Sequence, residues 1–172
     1  MPTLWIIDGY NFIRQSSRFS EIEAENGAKG RKLALAWLAR FGDETGERVR
    51  VVFDAYSSLR SDLKVEPFSG IEVYLSRGSY TADEEIIQMA QEKGESAVVV
   101  SSDRMIQDAA VKAGASILKS DEFEREVGKI LDGPNDWDED LGSKGRKPGK
   151  GNAFRPPKEK KKAFALLKKY QG

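Results

Sequence analysis

The chain contains no cysteine and no histidine among its 172 residues. The absence of cysteine excludes disulfides, thiolate nucleophiles and cysteine-ligated zinc, and it fits a reducing compartment. The absence of histidine excludes the commonest general base and the serine–histidine catalytic triads. No run approaches the 18 apolar residues of a membrane-spanning helix, and the first residues, MPTLWIID, lack the layout of a signal peptide. We therefore expect a cytoplasmic protein with no membrane partner.

The hydrophobic content of 39% and the three tryptophans are enough for one folded core. The net charge of zero hides a division, because residues 1–143 carry 17 basic and 27 acidic side chains, whereas residues 144–172 carry 11 basic and one acidic side chain. A basic tail on an acidic body indicates a polyanionic partner, with nucleic acid the leading candidate. The alternative is a tail that folds back on its own acidic body.

Apolar, largely β-branched runs that alternate with segments of helical spacing predict an α/β fold with a parallel sheet and right-handed crossovers. The predicted strands are Thr3–Asp8, Arg48–Asp54, Ile71–Ser76 and Ser96–Ser101, with a weak fifth at Ala115–Leu118. The predicted helices are Ala28–Phe41, Ala82–Lys93, Arg104–Ala113, Asp121–Leu131 and Lys158–Tyr170.

The amino-acid composition changes after Gly133-Pro134, a pair that is predicted to end the last helix of the body. We therefore predict a domain over residues 1–133, followed over 134–172 by an acidic loop, a basic linker and a short C-terminal helix. The apolar stripe of that helix can dock on the body or stay free until RNA or a ribosome orders it. Because the predicted core strands all precede the tail, we expect a chain ending at Gly142 to remain folded.

Four acidic residues, Asp8, Asp54, Asp83 and Asp103, lie where a strand ends or a helix begins. The carboxyl ends of parallel strands line one edge of a sheet, so these side chains are expected to converge there. Carboxylates gathered at one edge repel each other unless a cation lies among them. A carboxylate cluster in a chain without histidine or cysteine suits a hard cation such as Mg²⁺ or Mn²⁺.

Each acidic motif also has a local structural explanation. Asp8 and Asn11 can form an Asx turn or cap the next helix. The spacing of Thr81–Glu84 predicts a capping box, and Ser102 is predicted to be an N-cap that places Asp103 in a first helical turn. The joint occurrence of four such carboxylates nevertheless favours a metal site.

Four motifs resemble those of one family. DGYN at Asp8–Asn11, VVFDA at Val51–Ala55, TADEEI at Thr81–Ile86 and VVVSSDR at Val98–Arg104 occur in the order found in YacP-like NYN-domain proteins, a bacterial branch of the PIN-like nuclease superfamily. The resemblance covers roughly residues 3–131. It implies a PIN-like three-layer sandwich with a mainly parallel central sheet, and divalent-metal-dependent endonucleolytic cleavage of RNA.

Carried over to this chain, the resemblance implies that Asp8, Asp83 and Asp103 are catalytic residues and metal ligands. The implied supporting residues are Asn11, Asp54, Ser102 and one of Glu84 or Glu85. This chain departs from typical relatives at Gln88, where they often carry a further acid.

RNA is the expected partner, with mRNA, rRNA and tRNA all left open, the ribosome a candidate platform and the oligomeric state undetermined. An acidic catalytic face repels RNA except at its metal, so a separate basic element is a reasonable device for holding the substrate. The residues predicted to bind RNA are Arg104, Lys144, Arg146, Lys147, Lys150, Arg155, Lys160, Lys161 and Lys162.

Three other enzyme classes lack their required residues. A haloacid-dehalogenase-type phosphatase needs an aspartate two residues after Asp8, where this chain has Tyr10. A dinucleotide-binding enzyme needs a glycine-rich first turn, which DGYNFI does not provide. The aspartate pair of a toprim-like enzyme has its only counterpart, Asp136-Trp-Asp138, in the acidic loop. The alternative that stays open is a non-catalytic RNA- or ribosome-binding module on a PIN-like fold.

Overall fold

The structure is a computed structural model that describes residues 3–54, 63–76, 80–133 and 155–171. Its strands are β1 Leu4–Asp8, β2 Arg48–Phe53, β3 Lys64–Phe68, β4 Ile71–Leu75, β5 Ala97–Val100 and β6 Ser116–Leu118. Its α-helices are α1 Gly9–Gln15, α2 Ser20–Glu25, α3 Gly27–Thr45, α4 Ala82–Lys93, α5 Arg104–Lys112, α6 Ser120–Leu131 and α7 Lys158–Lys169. In these ranges no helix is long and apolar enough to cross a bilayer.

The strands form one sheet in the order β3-β4-β2-β1-β5-β6. All neighbouring strands are parallel except β3, which runs antiparallel to β4. The first strand, β1, lies inside the sheet, with β2 on one side and β5 on the other. The strands that follow β1 in the chain are therefore added first on one side of it and, from β5 onward, on the other side. The carboxyl ends of the parallel strands share one edge of the sheet at this point, which is where open α/β sheets bind ligands.

Helices cover both faces of the sheet, because alternate residues of each strand point to opposite sides. Trp5 and Ile7 of β1 belong to a core that includes residues of α1, α3 and α6. Leu4 and Ile6 belong to a second core, which includes residues of α4 and α5. The predicted three-layer α/β architecture with a mainly parallel sheet is confirmed.

Among the described strands and α-helices, three were not predicted from the sequence: α1, α2 and β3. The short helices α1 and α2 connect β1 to α3, and α1 buries Phe12 and Ile13. Strand β3 contains Pro67, which is tolerated because β3 is an edge strand. It joins β4 through Ser69 and Gly70, whose φ angles of 45° and 93° are both positive, as a tight hairpin turn requires.

The C-terminal helix α7 packs against β6 and α6. Its Ala163, Phe164 and Leu167 are buried in the same core as Trp5. After the helix, the Tyr170 hydroxyl donates a hydrogen bond to Glu47 Oε1 at 2.7 Å. The apolar stripe therefore docks on the body. The core strands all precede the tail, as expected, but the main core also includes residues of α7. That a chain ending at Gly142 remains folded stays a prediction.

Candidate active site

Asp8 is the last residue of β1 and precedes α1, and it is buried, with 8% of its surface exposed. Gly9 follows it because no side chain would fit: a Cβ there would lie 2.4 Å from the ring of Phe53, at the end of β2. The glycine is required for this close approach of β2 to α1, and its φ is not positive. The Asp8 carboxylate is thus held on a rigid support in the middle of the sheet edge.

Ser101 connects two of the predicted metal ligands. Its hydroxyl donates to Asp8 Oδ2 at 2.9 Å and accepts from the Asp103 backbone N–H at 3.1 Å. Ser101 is completely buried. The sequence prediction selected Ser102 and missed Ser101, although both follow β5 directly. Only the pairing of β5 beside β1 shows which serine points toward Asp8.

Asp103 itself is the N-cap of α5. Its Oδ1 accepts hydrogen bonds from the backbone N–H groups of Met105 at 2.9 Å and Ile106 at 3.2 Å. The prediction that Ser102 caps this helix and that Asp103 lies in its first turn is therefore wrong by one residue. The correction has a physical basis, because aspartate is a cap at least as good as serine.

The start of α4 carries the next group of predicted residues. Thr81 and Glu84 form the predicted capping box, so the carboxylate of Glu84 is engaged with its own helix terminus. Asp83 lies in the first turn and is partly exposed, while Glu85 is buried. Asp54 Oδ1 accepts from the Ala82 N–H at 2.6 Å, so this carboxylate joins the end of β2 to the start of α4.

The carboxylates at this edge affect each other electrostatically. Burial is the largest cause that raises the pKa of Asp8, from 3.8 to about 6, and the charges of Asp83 and Asp103 add to it. The Ser101 hydroxyl and the Asn11 backbone N–H act in the opposite direction. The pKa of Asp83 is also raised, first by burial and then by nearby acids, of which Asp103 is the strongest. The three predicted ligands therefore lie near one another at one edge.

The carboxylates at this edge are not, however, arranged as the ligands of one metal ion. In the described part of the chain, no three acidic side chains meet in a way that could hold one metal ion. The close convergence expected for Asp8, Asp83 and Asp103 is not seen, because Asp103 is directed to the terminus of α5 and Asp8 to Ser101. Their assignment as metal ligands and catalytic residues stays a prediction.

A second hydrogen-bond cluster supports this edge. Asn11 Oδ1 accepts from the Ser102 N–H at 2.9 Å and from the Ser120 hydroxyl at 2.7 Å. The Ser120 N–H in turn donates to Ser102 Oγ at 3.2 Å. The cluster ties α1, the loop after β5 and the start of α6 together. It confirms that Asn11 and Ser102 lie at the edge, and it adds Ser120, which no local motif in the sequence indicated.

The residues predicted to bind RNA have unequal surroundings. Arg104, Arg155 and Lys161 are exposed. Lys160 is mostly buried in an ion pair with Glu122 at 2.8 Å, and Lys162 donates to the backbone carbonyl of Glu95. The latter two lysines therefore hold α7 against the body. The remaining predicted contacts, Lys144, Arg146, Lys147 and Lys150, lie outside the described residues.

Comparison with known proteins gives consistent results. Residues 5–159 match the family described as the YacP-like NYN domain. The uncharacterized protein YacP of Bacillus subtilis (strain 168) is 31% identical over 128 residues, which are 73% of this chain and 75% of that protein. The crystal structure of Rae1 (YacP) from Bacillus subtilis superposes with a TM-score of 0.61 at 30% identity, covering 75% of both chains. A point mutant of Rae1 gives the same TM-score at 28% identity, covering 75% of this chain and 76% of that one.

The family match covers most of the chain and includes all four acidic motifs. The structural match extends the likeness from the sequence to the fold. The chain therefore belongs to the YacP-like NYN domain family.

Proposed function

We propose that this protein is a divalent-metal-dependent endoribonuclease whose Asp8, Asp83 and Asp103 act at the carboxyl edge of the sheet. The NYN domain is nuclease-like, and membership of this family agrees with a function related to RNA. The observation that carries the proposal is the group of three neighbouring carboxylates around buried Asp8, whose pKa is raised to about 6. Such a concentration of negative charge is unfavourable for folding and is typical of a functional site.

The donor set fits Mg²⁺ or Mn²⁺, because it consists of carboxylate oxygens in a chain without histidine or cysteine. A cation held by Asp8, Asp83 and Asp103 would remove their mutual repulsion, and it would supply activation of water and stabilisation of the phosphate charge.

The remaining polar groups position the carboxylates. Ser101 orients Asp8 and holds the backbone of Asp103. Asp54 fixes the start of α4, and with it the position of Asp83, through the Ala82 N–H. Asn11 and Ser102 hold the loop after β5. None of these four residues has to change its charge for such a role.

The test is cleavage of a 5′-labelled single-stranded RNA in Mg²⁺, Mn²⁺ or EDTA, with the new ends mapped and a DNA strand of the same sequence as a comparison. We expect cleavage that EDTA abolishes and Mg²⁺ or Mn²⁺ restores. Asp83→Asn should lower the rate by roughly 100-fold or more, which is the usual order for loss of a large electrostatic contribution. Asp43→Asn is the matched control, because Asp43 is an exposed acid near the C-terminal end of α3.

The competing function is a non-catalytic RNA-binding module. The same Asp83→Asn variant separates the two, if RNA binding is measured alongside cleavage. A nuclease loses turnover and keeps its affinity, whereas a binding module shows no cleavage in any metal and no effect of the substitution. Full activity in EDTA would refute the metal-dependent mechanism.

A further inference from the structure

A groove of about 600 Å³ begins at Ser102, beside the candidate active site, and follows α5. One wall is a single face of that helix, formed by Arg104, Gln107, Asp108 and Lys112. Spacings of three and four residues place these side chains on the same side of a helix. From Arg104 to Lys112 the helix rises about 12 Å, at 1.5 Å per residue.

The opposite wall comes from later parts of the chain. It contains Ile117 of β6, Lys119 just after it, and Glu159 in the first turn of α7. The docked C-terminal helix therefore completes the groove. Without α7, this side of α5 would have one wall fewer.

The groove is continuous with the active-site edge. Ser102 lines the end of the groove next to the candidate active site, and its N–H donates to Asn11 Oδ1. Gln107 lines it as well, and its side-chain Nε2 donates to the Ser101 carbonyl at 2.7 Å. Ser101 is the residue that bonds Asp8. A ligand that reaches the carboxylates can therefore extend into the groove past Ser102.

The charges in the groove suit a polyanion. Arg104, Lys112 and Lys119 are exposed, and within the described residues none of their side chains forms an ion pair. Two acids, Asp108 and Glu159, also line it, so cations outnumber anions by three to two.

A second groove, formed by α6 and the residues around the end of α1, offers less to a polyanion. It is lined by Arg18, Arg125 and Lys129 together with the acids Asp121 and Glu124. Each of these cations is paired: Arg18 with Glu124 and Asp132, and the other two with Glu126. Phosphates would have to compete with those carboxylates.

We propose that the groove along α5 holds single-stranded RNA on one side of the cleaved bond, with Lys112 and Lys119 contacting different phosphates. This assignment rests on the proposed ribonuclease function, and it extends the substrate contact beyond the carboxylates to two lysines that no motif indicates. The contacts are to the backbone, so they add affinity without base specificity.

The test compares two double variants of equal charge change. Lys112→Ala/Lys119→Ala removes the proposed contacts, and Lys29→Ala/Lys32→Ala removes two exposed lysines of the body that do not line the groove. Binding of a labelled single-stranded RNA is measured by fluorescence anisotropy at several salt concentrations in EDTA, and thermal unfolding by circular dichroism confirms that both variants are folded. A 4-thiouridine RNA crosslinked to the wild-type chain locates the contact by peptide mapping.

For the groove variant we expect an affinity at 0.1 M salt that is roughly 10- to 30-fold weaker, and a salt slope that is smaller by about 1.4, the sum of two contacts to a single strand. The control variant should bind like the wild type, and the crosslinked peptides should include residues 104–119. Equal losses in the two variants, or no loss in either, would overturn the groove assignment. If the wild type bound RNA in this way but cleaved it in no metal, the proposed function would fail while the groove assignment stood.

Discussion

Replacement of Asp8 by asparagine should stabilise the protein at neutral pH while it removes activity. Burial and two neighbouring acids raise the pKa of the Asp8 carboxyl from 3.8 to about 6 in the folded state. The ionised form is therefore less favourable in the folded chain than in the unfolded chain. At 1.36 kcal/mol per pKa unit, this penalty reaches about 3 kcal/mol once both states are ionised.

The sign of the pH dependence follows from the same shift. Below about pH 4, Asp8 is protonated in both states and costs nothing. As the pH rises from about 4 to about 6, the unfolded chain releases the proton first, and the wild type loses stability from this residue. The asparagine of the Asp8→Asn variant does not titrate, and its amide oxygen can still accept from Ser101. Since the buried NH₂ of that asparagine needs a new partner, which costs about 1–3 kcal/mol at either pH, we expect a net gain of about 0–2 kcal/mol at pH 7.5 and a net loss of about 1–3 kcal/mol near pH 3.5.

The assay is urea unfolding of the wild type, Asp8→Asn and Asp43→Asn at both pH values in EDTA, with the free energy of unfolding as the readout. The control substitution at exposed Asp43 should change stability by less than about 0.5 kcal/mol at either pH. Added Mg²⁺ or Mn²⁺ should raise the stability of the wild type more than that of Asp8→Asn, because a ligand stabilises the state that binds it. The reasoning is refuted if Asp8→Asn is destabilised at pH 7.5, or if its effect is the same at both pH values.

Two further substitutions test the supporting structure. Ser101→Ala removes the hydroxyl between Asp8 and Asp103, and we expect a loss of about 1–2 kcal/mol in unfolding free energy together with slower RNA cleavage; normal cleavage by a folded Ser101→Ala protein would show that the bridge does not position the carboxylates. Phe164→Ala should lower the free energy of unfolding by about 3–5 kcal/mol, because the side chain is only 3% exposed and lies in the main core. Ala165→Gly, at an exposed position of the same helix, should lower it by only about 1 kcal/mol. Equal losses of stability in thermal melts of the two variants would contradict the docked position of α7.

The parallel part of the fold was predictable because its strands are covered on both faces. Ala97–Val100 consists of four consecutive buried apolar residues, a pattern typical of strands buried on both faces of a sheet. Strand β3 has no such signal. Its Lys64–Phe68 sequence carries charges and Pro67 because an edge strand needs neither continuous burial nor every N–H. The useful local signal was the Ser-Gly pair at 69–70, which marks the hairpin.

The candidate site was predictable as a set of residues and not as an arrangement. Strand ends and helix starts identified Asp8, Asp83 and Asp103, because the edge of a parallel sheet collects such positions. The hydrogen-bond partner of each carboxylate depends on which strands are neighbours in the sheet. No local sequence pattern indicates that strand order. Ser101 and Ser120 became visible only when β5 and α6 were placed beside β1 and α1.

The place of β1 inside the sheet has a consequence for synthesis of the chain. Leu4 pairs with Arg48 on one side and with Ala97 on the other, so the second pairing needs a strand made about 90 residues later. Until β5 has emerged, the apolar strand β1 keeps one row of backbone groups unpaired, and such an edge can pair with another chain. The nascent protein therefore passes through an interval in which an apolar strand has an open edge, a feature that makes partly folded chains prone to aggregation.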